Sequence, residues 1–210
     1  MRPAILSLFL LSSIPAAELV VRDLRGGLDL LPVDFGYSLT DSTGTRTGND
    51  VFDQHYGLSV GARYSLARIG ESHGAVVGVD LGMAQATYAP ADGAVSSYLV
   101  AGELGYAWAL TDAWTLAGAG RLGLGLTRAQ FDGSGAFASY APQGPMAEYG
   151  ARVGVLWSVT DQLVVDGNVG WRASVARLTA DGRDLDLDTG GLLVSLGVAW
   201  RFTSSPWRLE

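Results

Sequence analysis

Gly57-Leu58-Ser59-Val60-Gly61 has the spacing of a nucleophile elbow, G-x-S-x-G, in which a strained strand-to-helix turn lifts a serine towards a base. That chemistry needs a helix after the serine. The residues that follow alternate apolar and polar instead, so the segment reads as a strand with small residues on one side. Gly118-Ala119-Gly120-Arg121-Leu122-Gly123 fits G-x-G-x-x-G, but a dinucleotide site requires a helix after the motif, and here too the alternation simply continues. A histidine-based hydrolase could draw only on His55 and His73. His55 and Ser59, four residues apart on one strand face, would stand roughly 13 Å apart, beyond hydrogen-bond reach. With no cysteine there is no thiolate nucleophile, thiolate metal site or disulfide. Asp184-Leu185-Asp186-Leu187-Asp188-Thr189-Gly190 is acidic, yet an EF-hand loop needs glycine sixth and glutamate twelfth, where this sequence has Thr189 and Ser195. The leucines between the aspartates read as strand, with weak surface binding of Ca²⁺ or Mg²⁺ as the alternative. The expectation is a chain with no catalytic residue, cofactor or resident metal.

The remaining chemistry is a set of charges at regular strand spacing: Asp34, Asp80, Glu103, Glu148 and Asp166 against Arg63, Arg121, Arg152 and Arg172. They lie in about eight segments of period-two alternation, residues 31–40, 55–67, 75–88, 97–110, 114–129, 146–159, 163–178 and 190–202. Within each segment one parity is large and apolar, as in Leu31, Phe35, Leu58, Val60, Leu81, Met83, Leu122, Leu124, Val153 and Val169. The other is glycine, alanine and charge. Leu110-Thr111-Asp112-Ala113-Trp114 and Val159-Thr160-Asp161-Gln162-Leu163 are two copies of one tight hairpin. Brief turns at 67–73, 111–113 and 160–162 alternate with longer polar stretches at 41–54, 89–96, 130–145 and 179–189.

A closed eight-stranded sheet has an interior just wide enough for side chains to fill. Glycine and alanine leave room there for long arginines, so the charged parity is expected inside as an ion-pair network. The bulky apolar parity then has to be the outer wall. In water that wall would far exceed the few hundred Å² of apolar patch that soluble monomers expose; hydrocarbon removes the difficulty. The aromatics sort accordingly. Tyr64, Tyr106, Trp108, Trp114, Trp157, Trp200 and Phe202 fall beside the short turns, and Tyr37, Tyr56, Tyr98, Tyr149 and Trp171 towards the long stretches, which is the two-girdle pattern of membrane interfaces.

Composition agrees. Hydrophobic residues make up 48% of the 210 and charged residues only 17%, with 29 glycines, yet no apolar run reaches the length of a membrane helix. Met1-Arg2-Pro3 followed by the apolar stretch to Ala17 reads as an export leader, cut after Ala16 or Ala17. Losing Arg2 with it leaves the remainder one charge more negative than the −7 of the full chain, so no basic footprint for nucleic acid is expected.

In strand number, turn alternation and a last strand ending at Phe202, the chain resembles the small OmpA/OmpX-type outer-membrane β-barrels over residues 31–202. The resemblance implies an all-β, eight-stranded antiparallel up-and-down transmembrane barrel in the bacterial outer membrane. Residues 1–17 would then be a signal peptide, 18–30 a periplasmic arm and 203–210 a periplasmic tail. Implied partners are outer-membrane lipid, lipopolysaccharide and the barrel assembly machinery; the surface ligand is unknown. The function expected is a non-enzymatic structural, envelope-integrity or surface-interaction role through the extracellular loops, with a narrow solute pore or a lipid A-modifying enzyme as alternatives.

Overall fold

The computed structural model describes residues 21–68, 73–133 and 140–202. The leader expected at 1–17 and the tail at 203–210 lie outside the described residues. Ten strands follow in chain order: β1 Val21–Leu30, β2 Asp34–Asp41, β3 Gly44–Val51, β4 Gln54–Arg68, β5 His73–Tyr88, β6 Gly93–Ala109, β7 Trp114–Phe131, β8 Gln143–Ser158, β9 Leu163–Ala180 and β10 Arg183–Arg201. Every pairing is antiparallel. β1 and β4 to β10 pair in succession, and β1 closes the ring on β10. The eight-stranded up-and-down barrel is therefore complete in the strand pairing itself.

Its first strand is not the expected one. The segment 18–30, anticipated as a loose arm, contributes β1, which pairs with β10 from Asp23↔Arg201 to Leu30↔Val194 and with β4 on its other side. The segment 31–40, expected as the first crossing, instead holds β2, which joins β3 in a hairpin beyond the barrel rim. The 19 residues of β10 serve both strands: its lower part pairs β1, and Asp184–Thr189 pair β2. Pro32 explains the break. It has no N–H for the ladder, and the chain steps outward between Leu30 and Asp34. Several of the anticipated polar loops are likewise strand; the acidic run from Asp184 continues β10, with Leu185 and Leu187 buried and the aspartates outside or half-exposed.

The turns follow their side chains. Asp181 and Gly182, at φ 53° and 69°, form the two-residue Asp-Gly turn that matches hairpin twist. At the opposite end the two related hairpins repeat atom for atom. Thr111 Oγ1 accepts from the N–H of Ala113 and Trp114 at 3.3 and 3.1 Å, and Thr160 Oγ1 from Gln162 and Leu163 at 3.2 and 2.9 Å.

The interior is stacked in three layers. At the long-connection end an apolar cap closes the mouth, with Phe35 stacked on Phe52 at 4.2 Å and edge-on to Tyr88 at 5.3 Å, over buried Leu39, Leu178 and Leu185. Leu31 and Phe35, expected on the outer wall, are both buried because they share the inward parity of Asp23, Arg25 and Asp29, while Leu24, Leu28 and Leu30 face out. Charged groups fill the middle. Leu156, Val164 and Ala199 pack together near the short turns. The outer wall is the reverse: Leu122 and Leu124 are each 72% exposed and Leu192 70%.

Candidate functional site: a charge-filled barrel interior

Arg121 on β7 is the hub. Its Nε donates to Glu148 Oε1 at 2.7 Å, and its Nη1 to Asp80 Oδ2 at 2.6 Å and Glu103 Oε1 at 3.2 Å. Arg25 reaches the same pair from β1, donating through Nε to Asp80 Oδ1 at 3.0 Å and through Nη2 to both Asp80 and Glu103. Arg152 Nη2 donates to Glu103 Oε2 at 2.7 Å, so Glu103 accepts from three guanidinium groups. Arg172 links Asp29, at 3.0 Å, with Glu148, at 3.7 Å. Nearer the short turns Arg63 Nε donates to Asp23 Oδ1 at 2.6 Å and lies 3.7 Å from Asp166, which accepts from Asn168 Nδ2 at 3.0 Å. Arg201 Nη1 donates to Ser158 Oγ at 3.3 Å.

Among the described residues the interior thus holds six carboxylates, Asp23, Asp29, Asp80, Glu103, Glu148 and Asp166, and six guanidinium groups, Arg25, Arg63, Arg121, Arg152, Arg172 and Arg201. The lumen is electrically balanced. The chain contains no lysine. Arginine suits the task because its planar fork serves several carboxylates at once, which an ammonium does less well. Small residues admit these groups: a β-carbon at Gly61 would lie 1.9 Å from Asp80 Oδ1 and 2.5 Å from the Val79 carbonyl, so the position takes only glycine without rearrangement.

Of the nine interior charges anticipated, Arg63, Asp80, Glu103, Arg121, Glu148, Arg152, Asp166 and Arg172 lie inside and in contact with opposite charges. Asp34 does not. It is exposed on the outer face of β2, because its strand belongs to the rim hairpin rather than to a crossing. Asp23, Arg25 and Asp29 were missed, although Asp23-x-Arg25-x-Gly27-x-Asp29 alternates with Leu24, Gly26, Leu28 and Leu30 in the same two-parity code. The anticipated girdle residues Tyr106, Trp108, Trp114, Trp157, Trp200 and Phe202 project from the outer wall at the short-turn end, with Trp114 stacked on Trp157 at 5.7 Å; Tyr64 is half-buried there. At the other end Tyr98, Tyr149 and Trp171 are exposed, whereas Tyr37 packs on the apolar cap.

The catalytic look-alikes lie inside strands. Gly57–Gly61 is part of β4 and Gly118–Gly123 part of β7, each paired on both sides. His55 Nδ1 is 2.5 Å from the Pro32 carbonyl, which can only accept, so this nitrogen carries the proton. His73, at the far end, bonds the Tyr106 hydroxyl. Among the described residues no group of three or more acidic or histidine side chains is arranged to hold a metal ion.

At the rim of the apolar cap, Tyr88 donates its hydroxyl proton to Asp50, tying β5 to the rim hairpin. Burial, reinforced by that carboxylate, pushes the Tyr88 phenol up to about 12, and the bond holds the Asp50 carboxyl below its ordinary range. The folded protein favours neutral tyrosine, so this contribution is whole below the unfolded phenol value of about 10 and lost as pH climbs from there to about 12. The Asp50 contribution is present above the ordinary carboxylate value and is lost as pH falls below it. Near-ultraviolet circular dichroism is therefore expected to show an alkaline loosening step that Tyr88→Phe removes; a step of unchanged size in the variant would refute the assignment.

Fold and site together define a small closed β-barrel with an apolar exterior and a salt-bridged, filled interior. No family model matches the chain, and no curated protein matches it in sequence. Among solved structures it is similar to Neisserial surface protein A (NspA), at 16% identity over 85% of this chain and 97% of that one, with a TM-score of 0.45. It is also similar to the outer membrane protein OprG from Pseudomonas aeruginosa, at 12% identity over 89% and 98%, TM-score 0.49. A third is Ail, the attachment invasion locus protein of Yersinia pestis, at 16% over 87% and 100%, TM-score 0.39. Each likeness is one of fold.

Proposed function

We propose that the chain is a non-enzymatic outer-membrane protein. Its sealed barrel serves as an anchor, and its rim hairpin and extended strands meet the surroundings at the cell surface in a structural, envelope-integrity or interaction role. The observation that carries this reading is the inversion of the barrel, with leucine, valine and aromatics outside and balanced charge within. Strands of 15 to 19 residues from β4 to β10 exceed the roughly 9–11 needed to cross a bilayer, so they cross and continue above it. Outer-membrane lipid and lipopolysaccharide cover the wall, the barrel assembly machinery inserts it, and the short turns face the periplasm.

A solute pore finds no support in the interior, where the apolar cap and the charge layer both obstruct the axis. Reconstituted in planar bilayers, the protein is expected to show no single-channel conductance over a broad voltage range; steady unitary currents would overturn the sealed-barrel reading. Membrane residence is tested separately. The protein should need detergent for solubility and migrate faster unboiled than boiled, and a cysteine placed by Thr43→Cys should react with an impermeant maleimide on intact cells. Free solubility without detergent would refute residence, and protection of that cysteine would refute the orientation.

A further inference from the structure

Above the aliphatic wall, the outward faces of β10, β2 and β3 and the aromatic end of β8 and β9 enclose a groove of about 670 Å³. Its floor is bare backbone. Gly36 stands opposite Asp188 in the β10–β2 register, and a β-carbon there would lie 2.7 Å from Asp188 Oδ2, so the carboxylate rests over the glycine. A β-carbon on Gly190 would lie 3.8 Å from Trp171 Cζ2, so the indole edge reaches across to the same floor. Tyr149 and Trp171 form the wall, edge to face at 5.5 Å and 61°, with 45% and 47% of their surfaces still open. Asp34 and Asp188 flank the floor on a diagonal of the sheet, and among the described residues neither has a hydrogen-bond or ion-pair partner. The nearby Arg177 is engaged by Asp186 at 2.9 Å.

Two unpaired carboxylates beside open aromatic faces favour a cation, since the ring quadrupole adds to the charge attraction. The sheet fixes their spacing. Diagonal neighbours stand about 7–8 Å apart along the backbone, and the open aromatic faces beside them favour an organic ammonium over a metal ion, which takes oxygen ligands. A flexible chain with positive ends and an apolar middle fits that interval. We propose that this groove binds a linear aliphatic polyamine, its ammonium groups on Asp34 and Asp188 and its methylenes along Trp171 and the glycine floor.

The inference rests on the reading that this end of the barrel faces the outside solution, but it is tested without it, on purified protein in detergent micelles where both ends are accessible. Calorimetric titration with spermidine is expected to show one saturable site. Asp34→Asn with Asp188→Asn should weaken it about tenfold, and Trp171→Ala several-fold; Asp132→Asn, an exposed acid elsewhere on the same rim, should leave it unchanged. Heat-modifiable mobility establishes that each variant is folded. Absence of a saturable site, an equal loss in Asp132→Asn, or displacement of spermidine by magnesium chloride at matched ionic strength would overturn the proposal. Micellar binding combined with a protected Thr43→Cys would overturn the orientation and leave the groove intact.

Discussion

Replacing Arg121 with alanine is expected to lower the free energy of unfolding by about 3–5 kcal/mol, the usual cost of stranding buried charge by deleting one partner. Asp80, Glu103 and Glu148 all take hydrogen bonds from this guanidinium in a buried layer, and its loss leaves that layer one positive charge short. Arg128, on the same strand but exposed near the rim, provides the contrast: Arg128→Ala should change stability by no more than about 0.5 kcal/mol. Urea titration of the heat-modifiable folded fraction in micelles measures both, and equal midpoints would refute the inward placement of Arg121. Removing Glu148 together with Arg121, as Glu148→Gln with Arg121→Ala, leaves Asp80 and Glu103 with Arg25 and Arg152 and keeps the charge count even. The double variant is accordingly expected to lose less than the sum of the single losses.

Deleting residues 21–30 should have a larger effect still. An arm could be removed at little cost, but β1 is a ring strand with a neighbour on each side, and its loss leaves the facing edges of β4 and β10 unpaired. In hydrocarbon an open strand edge cannot satisfy its backbone groups. Arg25 and Asp29 vanish too, leaving Asp80 and Arg172 short of partners. The truncated chain should therefore give no fast-migrating folded band at all, since the whole stability of a domain is only about 5–15 kcal/mol. A folded band of normal intensity would restore the arm reading of this segment.

Most of the architecture was legible because a membrane barrel writes both of its faces into the sequence at period two. Leu122 and Arg121 were assigned to opposite faces from parity alone, and the structure puts one at 72% exposure and the other in the charged layer. The code was misread in one segment. With Leu24, Leu28, Leu30 and Asp34 outside and Asp29, Leu31 and Phe35 inside, the parity is the same on both sides of Pro32; a reading that starts at Leu31 and turns its large residues outward therefore puts Leu31, Asp34 and Phe35 all on the wrong side. The true first strand was obscured by Gly26-Gly27 and by its closeness to the apolar leader. Connectivity within the interior was not legible either. Arg25 and Glu103 meet only because the sheet curls into a ring, and no spacing along the chain announces a contact between residues 78 positions apart.

That ring closure also bears on the order of assembly. The seam joins the strand made first to the strand made last, and Asp29, riding on β1, reaches across it to Arg172 on β9, 143 residues away, while Arg25 spans the lumen to β5 and β6. Before the seam zips, neighbouring strands can already pair Arg121 with Glu103 and Glu148 in a wet, half-open trough; afterwards the same groups sit in a dry one. Ring closure thus completes the charge layer rather than creating it, and its own contact, Asp29 with Arg172, comes late because the chain must first close its longest loop. Asp29 acts as the latch, so an insertion intermediate of this protein would be an open sheet in which Arg172 still lacks that carboxylate.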